Sequence, residues 1–542
     1  MSLRGTGQGG TIARFLEVLD VLGSAGMLWP GYLGALGKGV GKWGSTLAGG
    51  FAASAARRPN DVGLIDEVGP PLTFGEIERR TNSIARGLAA AGVKCGDGVG
   101  LYARNHRGFV EASIALNKLG ANALLLNTGF AAPQLAEVLE REGCRVVLFD
   151  EEFAPVVERG GGDRERILTL STGKVPGATL EDLVRKHDGG EMPAPARHGR
   201  MTILTSGTTG TPKGAKRDPK RTGLDTFVGM LGRMPLRVGE KSFVVAPAFH
   251  SWGGAHLLLG SILSNTIVMH TRFDPEDTLR TIDEHKPQVL AVVPVMMQRI
   301  CALPAEIIRK YDCRSLRVVG ASGSALPGEL ALRWMDTFGD NVYNFYGSTE
   351  VAQASIAMPD ELRAVPGTAG RPPRGTTVRI VDTEGRDVPV GTIGRIFVGN
   401  DNQFDGYTGG GGKEIIDGLM SSGDVGHFDE NGLLFVDGRD DDMIISGGEN
   451  VFPREVEDLL SDHPAVHEAA VIGVADTEFG QRLKGFVVLD KGASVSEEAL
   501  KTYVKEHLAR YKVPREIVFL DELPRNPTGK VLKRVLRDLP QD

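Results

Sequence analysis

The chain has 542 residues, too many for one hydrophobic core, so several folding units are expected. Hydrophobic residues make up 41% and charged residues 24%, which excludes intrinsic disorder, and the 73 glycines show no Gly-X-Y period, which excludes collagen. A net charge of −7 and a pI near 6.0 argue against a nucleic-acid-coating protein.

Residues 1–50 are glycine-rich and weakly patterned and read as an extension. The uncharged stretch 21–37 holds Pro30 and falls short of the ~20 residues a spanning helix needs. It reads as a tail packed on its own protein. The alternative is a peripheral membrane contact through Met27, Leu28, Trp29, Tyr32 and Leu33. Thr73-x-x-Glu76 has the form of a capping box, followed by a helical stripe of Ile77, Ile84 and Leu88 and a stop at Gly92. Strands at 99–103, 123–126 and 146–149 then alternate with helices at 109–119 and around Leu135–Leu139. The alternation returns with strands at 202–204, 289–295, 316–319 and 342–345 and helices at 275–285 and 329–338. Such alternation predicts parallel sheets covered on both faces, in two α/β halves that follow one another. Residues 367–400 change to turns and β-branched runs, a small antiparallel unit, and Asn431-Gly432 marks a hairpin. After about residue 440 a helix (454–461), two strands (469–474, 485–489) and a second helix (497–509) predict a small α+β unit. Four scattered cysteines (Cys95, Cys144, Cys301, Cys313) form no CxxC pair and suit a reducing cytosol.

The sharpest segment is Thr205-Ser206-Gly207-Thr208-Thr209-Gly210-Thr211-Pro212-Lys213-Gly214. Glycines let backbone N–H groups approach an anion, hydroxyls add neutral donors and Lys213 adds charge, which suits a polyphosphate. It is not a Walker A loop, because Lys213 stands between Pro212 and Gly214. The segment resembles the phosphate loop of the acyl-adenylate-forming superfamily, which includes acyl-CoA synthetases. The resemblance covers about residues 50–535, with the other motifs in order.

That resemblance implies an α/β fold: an extension (1–50), a large domain of two α/β subdomains plus a small β-barrel-like unit (51–440), and a small mobile α+β C-terminal domain (441–542). It also implies the roles of the site residues. In Tyr346-Gly347-Ser348-Thr349-Glu350, Tyr346 stacks on adenine, Thr349 contacts the α-phosphate and Glu350 ligates Mg²⁺. Gly323, Ser324 and Ala325 form the adenine-side segment. Asp424 and Arg439 hold the ribose. Asp441 is the hinge, and Ser446, Gly447, Gly448 and Glu449 carry the loop that meets coenzyme A. Lys530, in Pro524-Arg525-Asn526-Pro527-Thr528-Gly529-Lys530, is the catalytic lysine. His250 lines the carboxylate end of the acyl pocket, which Trp252 and Gly253 border; Trp252 is read as its gate.

The implied activity is an ATP-dependent acyl-CoA synthetase using ATP, Mg²⁺ and CoA. The pocket stretches offer no carboxylate for an amino group, so a fatty or other apolar acid is the expected substrate, and likeness to bacterial fatty-acid ligases implies a medium or long chain. A fatty-acyl-AMP ligase loading a carrier protein and an aryl-acid CoA ligase are the alternatives. The expected location is cytoplasmic, with membrane association through residues 1–50 and a homodimer both left open.

Overall fold

The computed structural model describes residues 8–205, 213–216, 223–446, 449–476, 480–527 and 529–539. The capping box forms: Thr73 Oγ1 accepts the Glu76 amide, and the Glu76 carboxylate accepts the Thr73 amide at 2.8 Å. It starts the helix Phe74–Ala90, whose Ile77, Ile84 and Leu88 are fully buried.

Two eight-stranded sheets make the large domain. In the first, Gly98–Tyr102 and Cys144–Asp150 pair in parallel beside Asn122–Leu125 and Met201–Thr205. In the second, Val342–Ser348, Val318–Ala321, Val289–Val292, Lys241–Val244 and Thr266–Met269 run parallel in that order. The halves do not simply follow one another in sequence. Val62–Asp66 joins the second sheet through parallel pairing with Thr266–Met269, a partner two hundred residues away that no local pattern announces. The run expected as a strand to residue 295 ends at Val292, and Pro294 opens the helix Pro294–Cys301, where its missing N–H costs no hydrogen bond.

The antiparallel unit is a five-stranded sheet built on Thr377–Val381, Gly394–Gly399, Leu419–Phe428 and Leu434–Arg439, with the hairpin glycine, Gly432, at φ 75°. The small C-terminal unit pairs Val466–Asp476 with Gly480–Leu489, and the latter in parallel with Glu516–Phe519. The helices Pro453–Ser461 and Glu497–His507 contribute Val456, Leu460, Leu500 and Val504 to its core.

The N-terminal region departs most from expectation. It forms the helices Gln8–Ser24, Tyr32–Trp43 and Leu47–Arg57, so the boundary set at residue 50 cuts through a helix. Its glycines hide the helical periodicity because they serve close approach. A Cβ on Gly39 would lie 2.3 Å from the Gly49 carbonyl oxygen, and one on Gly50 would lie 2.3 Å from Ser261 Oγ. Met27 and Tyr32 are buried in the core of the second sheet, while Leu28, Trp29 (73% exposed) and Leu33 face outward. Among the described residues no helix is long and apolar enough to cross a membrane.

Gly50→Val should therefore lower stability by about 1–3 kcal/mol through overpacking against Ser261. Gly37→Ala, in the helix Tyr32–Trp43 with nothing within 4 Å of its added Cβ, should raise it by up to about 1 kcal/mol. Chemical denaturation of both variants checks the pair. Equal effects would contradict the close helix contact.

Candidate active site

The strands Met201–Thr205 and Lys213–Lys216 pair antiparallel, with Thr205 opposite Lys213, so they form the two legs of the phosphate-loop hairpin. Ser206, Gly207, Thr208 and Thr209 lie outside the described residues, as do Gly447 and Gly448. Thr205, Asp441 and Glu449 are described in their main chain only.

Lys213 Nζ sits 5.5 Å from the centroid of the Tyr407 ring. The Tyr407 hydroxyl donates at 3.0 Å to Glu350 Oε1, so one tyrosine joins the loop lysine to the proposed metal-binding carboxylate. Tyr407 is held there because Gly406–Tyr407 pairs with the Lys213–Lys216 strand, and Thr408 Oγ1 accepts the Gly214 amide at 3.0 Å. Burial, with Glu350 adding to it, pushes the Tyr407 phenol upward, so it stays a donor. Glu350 is 9% exposed, and no described residue bonds its second oxygen. A buried carboxylate with one oxygen left over fits a hard divalent cation.

The strand Val342–Ser348 delivers Tyr346 to the same region. Its hydroxyl donates at 2.6 Å to Asp424 Oδ2, while Arg439 donates to Asp424 Oδ1 at 3.2 Å. Asp424 and Arg439 stand directly opposite each other on neighbouring strands, the arrangement in which opposite charges attract across a sheet. Burial, then the Asp424 carboxylate, hold the Tyr346 phenol well above its usual range. Gly323 follows the strand Val318–Ala321 at φ 95° and is exposed together with Ala325, while Ser324 is half-buried. This leaves an open shelf beside Tyr346 at the carboxyl end of a parallel strand, where flat ligands bind in such sheets.

The Thr349 hydroxyl lies 3.4 Å from Ser251 Oγ, which ties this strand end to the first turn of the helix Ser251–Ile262. His250 precedes that helix; burial drives its imidazole down to about 4, so it is neutral at pH 7, and its Nε2 has no partner among the described residues. Trp252, read as a gate, is held in place by its indole. It is 6% exposed, and its indole N–H donates to the carbonyls of Val292 (3.1 Å) and Gly320 (3.3 Å), which fixes it as wall. Gly253 packs tightly on the preceding turn: a Cβ there would lie 2.3 Å from the Pro247 oxygen.

The C-terminal unit brings the Lys530 turn to the large domain. A Cβ on Gly529 would lie 2.4 Å from Val295 Cγ1, and one on Gly129 would lie 2.8 Å from Pro527 Cγ. The turn is stapled by the Lys530 amide on Asn526 Oδ1 (2.9 Å) and by Arg525 on the Gly529 carbonyl (2.5 Å). Lys530 itself is exposed. Ser446 pairs instead with Gly480 in the C-terminal sheet.

Residues 51–408 match the AMP-binding enzyme family, and residues 455–530 match the AMP-binding enzyme C-terminal domain. The chain belongs to the AMP-binding enzyme family. It is an AMP-forming acid–thiol ligase. It is 33% identical over 495 residues to a feruloyl-CoA synthase from an Amycolatopsis species, covering 90% of this chain and 98% of that one. It is 30% identical over 505 residues to the fatty acid–[acyl-carrier-protein] ligase ScoC of Streptomyces coeruleorubidus, covering 89% and 94%. The anthranilate CoA ligase AuaEII, solved with anthranoyl-AMP, superposes with a TM-score of 0.83 at 27% identity over 91% of this chain and 97% of that one.

One residue beside this site escapes sequence reading. Tyr407 carries only a weak signal, an aromatic next to a run of glycines. Among the described residues one His/Asp/Glu group is close enough to share an ion: Glu67, His270 and Asp277. Its atoms are already engaged, His270 Nδ1 with Asp277 (2.6 Å) and Nε2 with Thr281 (3.0 Å), and it sits several strands away from Glu350.

Asp424→Ala should weaken ATP binding roughly 10–100-fold, the cost of losing charge-assisted hydrogen bonds. Calorimetric titration with ATP checks this. An unchanged affinity would remove Asp424 from the nucleotide site.

Proposed function

We propose that the chain activates an aryl carboxylic acid as its acyl-adenylate and then transfers the acyl group to the thiol of coenzyme A. The acid's carboxylate oxygen attacks the α-phosphorus of ATP, and the bond to pyrophosphate breaks. The thiol sulfur then attacks the acyl carbonyl carbon, and AMP leaves. Tyr346 and the Gly323–Ala325 shelf take the adenine, and Asp424 with Arg439 takes the ribose hydroxyls. Thr349 contacts the α-phosphate, and Lys213 faces the outer phosphates. A Mg²⁺ held by Glu350 would offset phosphate charge. Lys530 acts on the charge that develops between the carboxylate and the α-phosphate. Asp441 serves as the hinge about which the small domain presents first Lys530 and then the Ser446–Glu449 loop.

The observation that carries the aryl reading is the wall behind Thr349. Trp252 and Phe345 lie 4.8 Å apart at 36°, in the same buried cluster as Val293 and Met296, and the nearby His250 is neutral. Such rings can stack on a flat aryl acid. Feruloyl-CoA synthase and the anthranilate ligase point the same way, so the aryl alternative replaces the fatty acid first expected. The likeness to ScoC favours, as a second reading, fatty-acid transfer to a carrier protein.

CoA-dependent pyrophosphate release over benzoate, cinnamate, anthranilate and C6 to C18 fatty acids tests this. The maximum should fall on an aryl acid and should require CoA. A maximum along the fatty series would overturn it.

A further inference from the structure

The short turn Asp440–Asp442 places three carboxylates side by side, where like charges repel. Cations take the outer two from opposite sides. Asp440 Oδ2 accepts from Arg395 Nε at 3.2 Å. Arg395 stands on the strand Gly394–Gly399 of the antiparallel unit, where Glu414 also holds it, so this bond belongs to the large domain. Asp442 is held the other way. Its carboxylate lies 3.7 Å from Lys533 Nζ and 3.8 Å from the Arg537 guanidinium. These cations stand one turn apart on the helix Lys533–Arg537 and so share a face. Lys533 also pairs with Glu457 at 2.9 Å, and Glu457 Oε1 accepts the Val471 amide at 2.7 Å, which fastens the group to the C-terminal sheet. The Asp442 and Lys533 side chains are 27% and 20% exposed, so water and salt screen them less than an open surface pair.

The helix Lys533–Arg537 begins three residues after Lys530. The Leu532 amide donates to the Pro524 carbonyl at 2.8 Å, which joins the lysine turn to the helix, and Leu536 buries the helix beside Ile472 and Phe486. Asp442 is therefore paired with the segment that carries Lys530. The strand Ile444–Ser446, by contrast, follows the hinge directly along the chain. Rotation about Asp441 reaches the Ser446–Glu449 loop through covalent bonds. It reaches Lys530 across space, and the Asp442 pairs span that gap.

Resting on the roles proposed above for Lys530 and Asp441, we infer that Asp442 is a positioning residue for adenylate formation. Through Lys533 and Arg537 it fixes the Lys530 turn to the hinge, so that rotation about Asp441 delivers the lysine as a set part of the small domain.

The test measures two rates: pyrophosphate release with the best acid of the panel above, and conversion of supplied acyl-adenylate and CoA to thioester. Asp442→Asn should lower kcat for pyrophosphate release by about 10-fold with KM for ATP nearly unchanged, a partial misplacement costing less than the roughly 10²-fold of a full ångström. Thioester formation, which does not use Lys530, should stay near the wild-type rate. Lys533→Met should give the same split, and the double variant should be no worse than either single one, as for partners in one network. Asp442→Glu should recover part of the loss. Asp440→Asn, on the other side of the hinge, should give no split. Loss of both half-reactions together in Asp442→Asn, or loss of neither, would overturn the inference, and a selective loss in Lys530→Ala would then leave the Lys530 reading standing. A wild type that releases no pyrophosphate, or a Lys530→Ala variant that loses both steps, would remove that reading and the inference with it. Should Asp442→Asn fail to fold, the split in Lys533→Met decides.

Discussion

The site depends on one carboxylate being gripped from two sides. Asp424 takes the Tyr346 hydroxyl on one oxygen and Arg439 on the other. Tyr346 ends a strand of the second large sheet, Asp424 lies within the antiparallel unit, and Arg439 closes that unit immediately before the Asp440–Asp442 turn. One short network therefore fixes three elements relative to each other. Loss of the carboxylate would leave a buried phenol and a guanidinium without their shared acceptor, a larger penalty than the loss of a single surface pair. The end of the Tyr346 strand and the start of the small domain are aligned by the same bonds.

A second constraint is charge. A carboxylate and a triphosphate repel each other, and cations must come from several directions to bring them together. Lys213 arrives on the phosphate hairpin, held beside Tyr407, which also orients Glu350. Lys530 arrives from a separate unit, on a turn packed so closely that the missing side chains of Gly529 and Gly129 make room for Val295 and Pro527. Gln298 also donates to the His467 carbonyl at 3.1 Å across the same junction. This is the arrangement with the Lys530 turn packed on the large domain, while Ser446 stays in the C-terminal sheet. In the proposed cycle it serves adenylate formation, the step that needs a cation.

Much of this was legible in the chain because it is written locally. The capping box at Thr73, the helix Pro275–His285 and the hairpin at Gly432 follow from neighbouring residues, and each forms. The motif around Tyr346 likewise lies within a few positions. Non-local features were hidden. The pairing of Val62–Asp66 with Thr266–Met269 has no signature at either end. The N-terminal helices were obscured because glycine, the residue that lets them approach within a Cβ of Ser261, is also the one that reads as loop. The bonds of the Trp252 indole to Val292 and Gly320 join parts of the chain far apart in sequence. Tyr407 matters only through partners that the fold brings to it.

The central claim, that Lys530 serves the first half-reaction and is replaced in the second, is tested most directly by Lys530→Ala. Pyrophosphate release should fall roughly 10²–10³-fold, as for loss of a group that stabilises developing charge. Conversion of supplied acyl-adenylate and CoA to thioester should remain near the wild-type rate. Equal loss in both half-reactions would contradict the account.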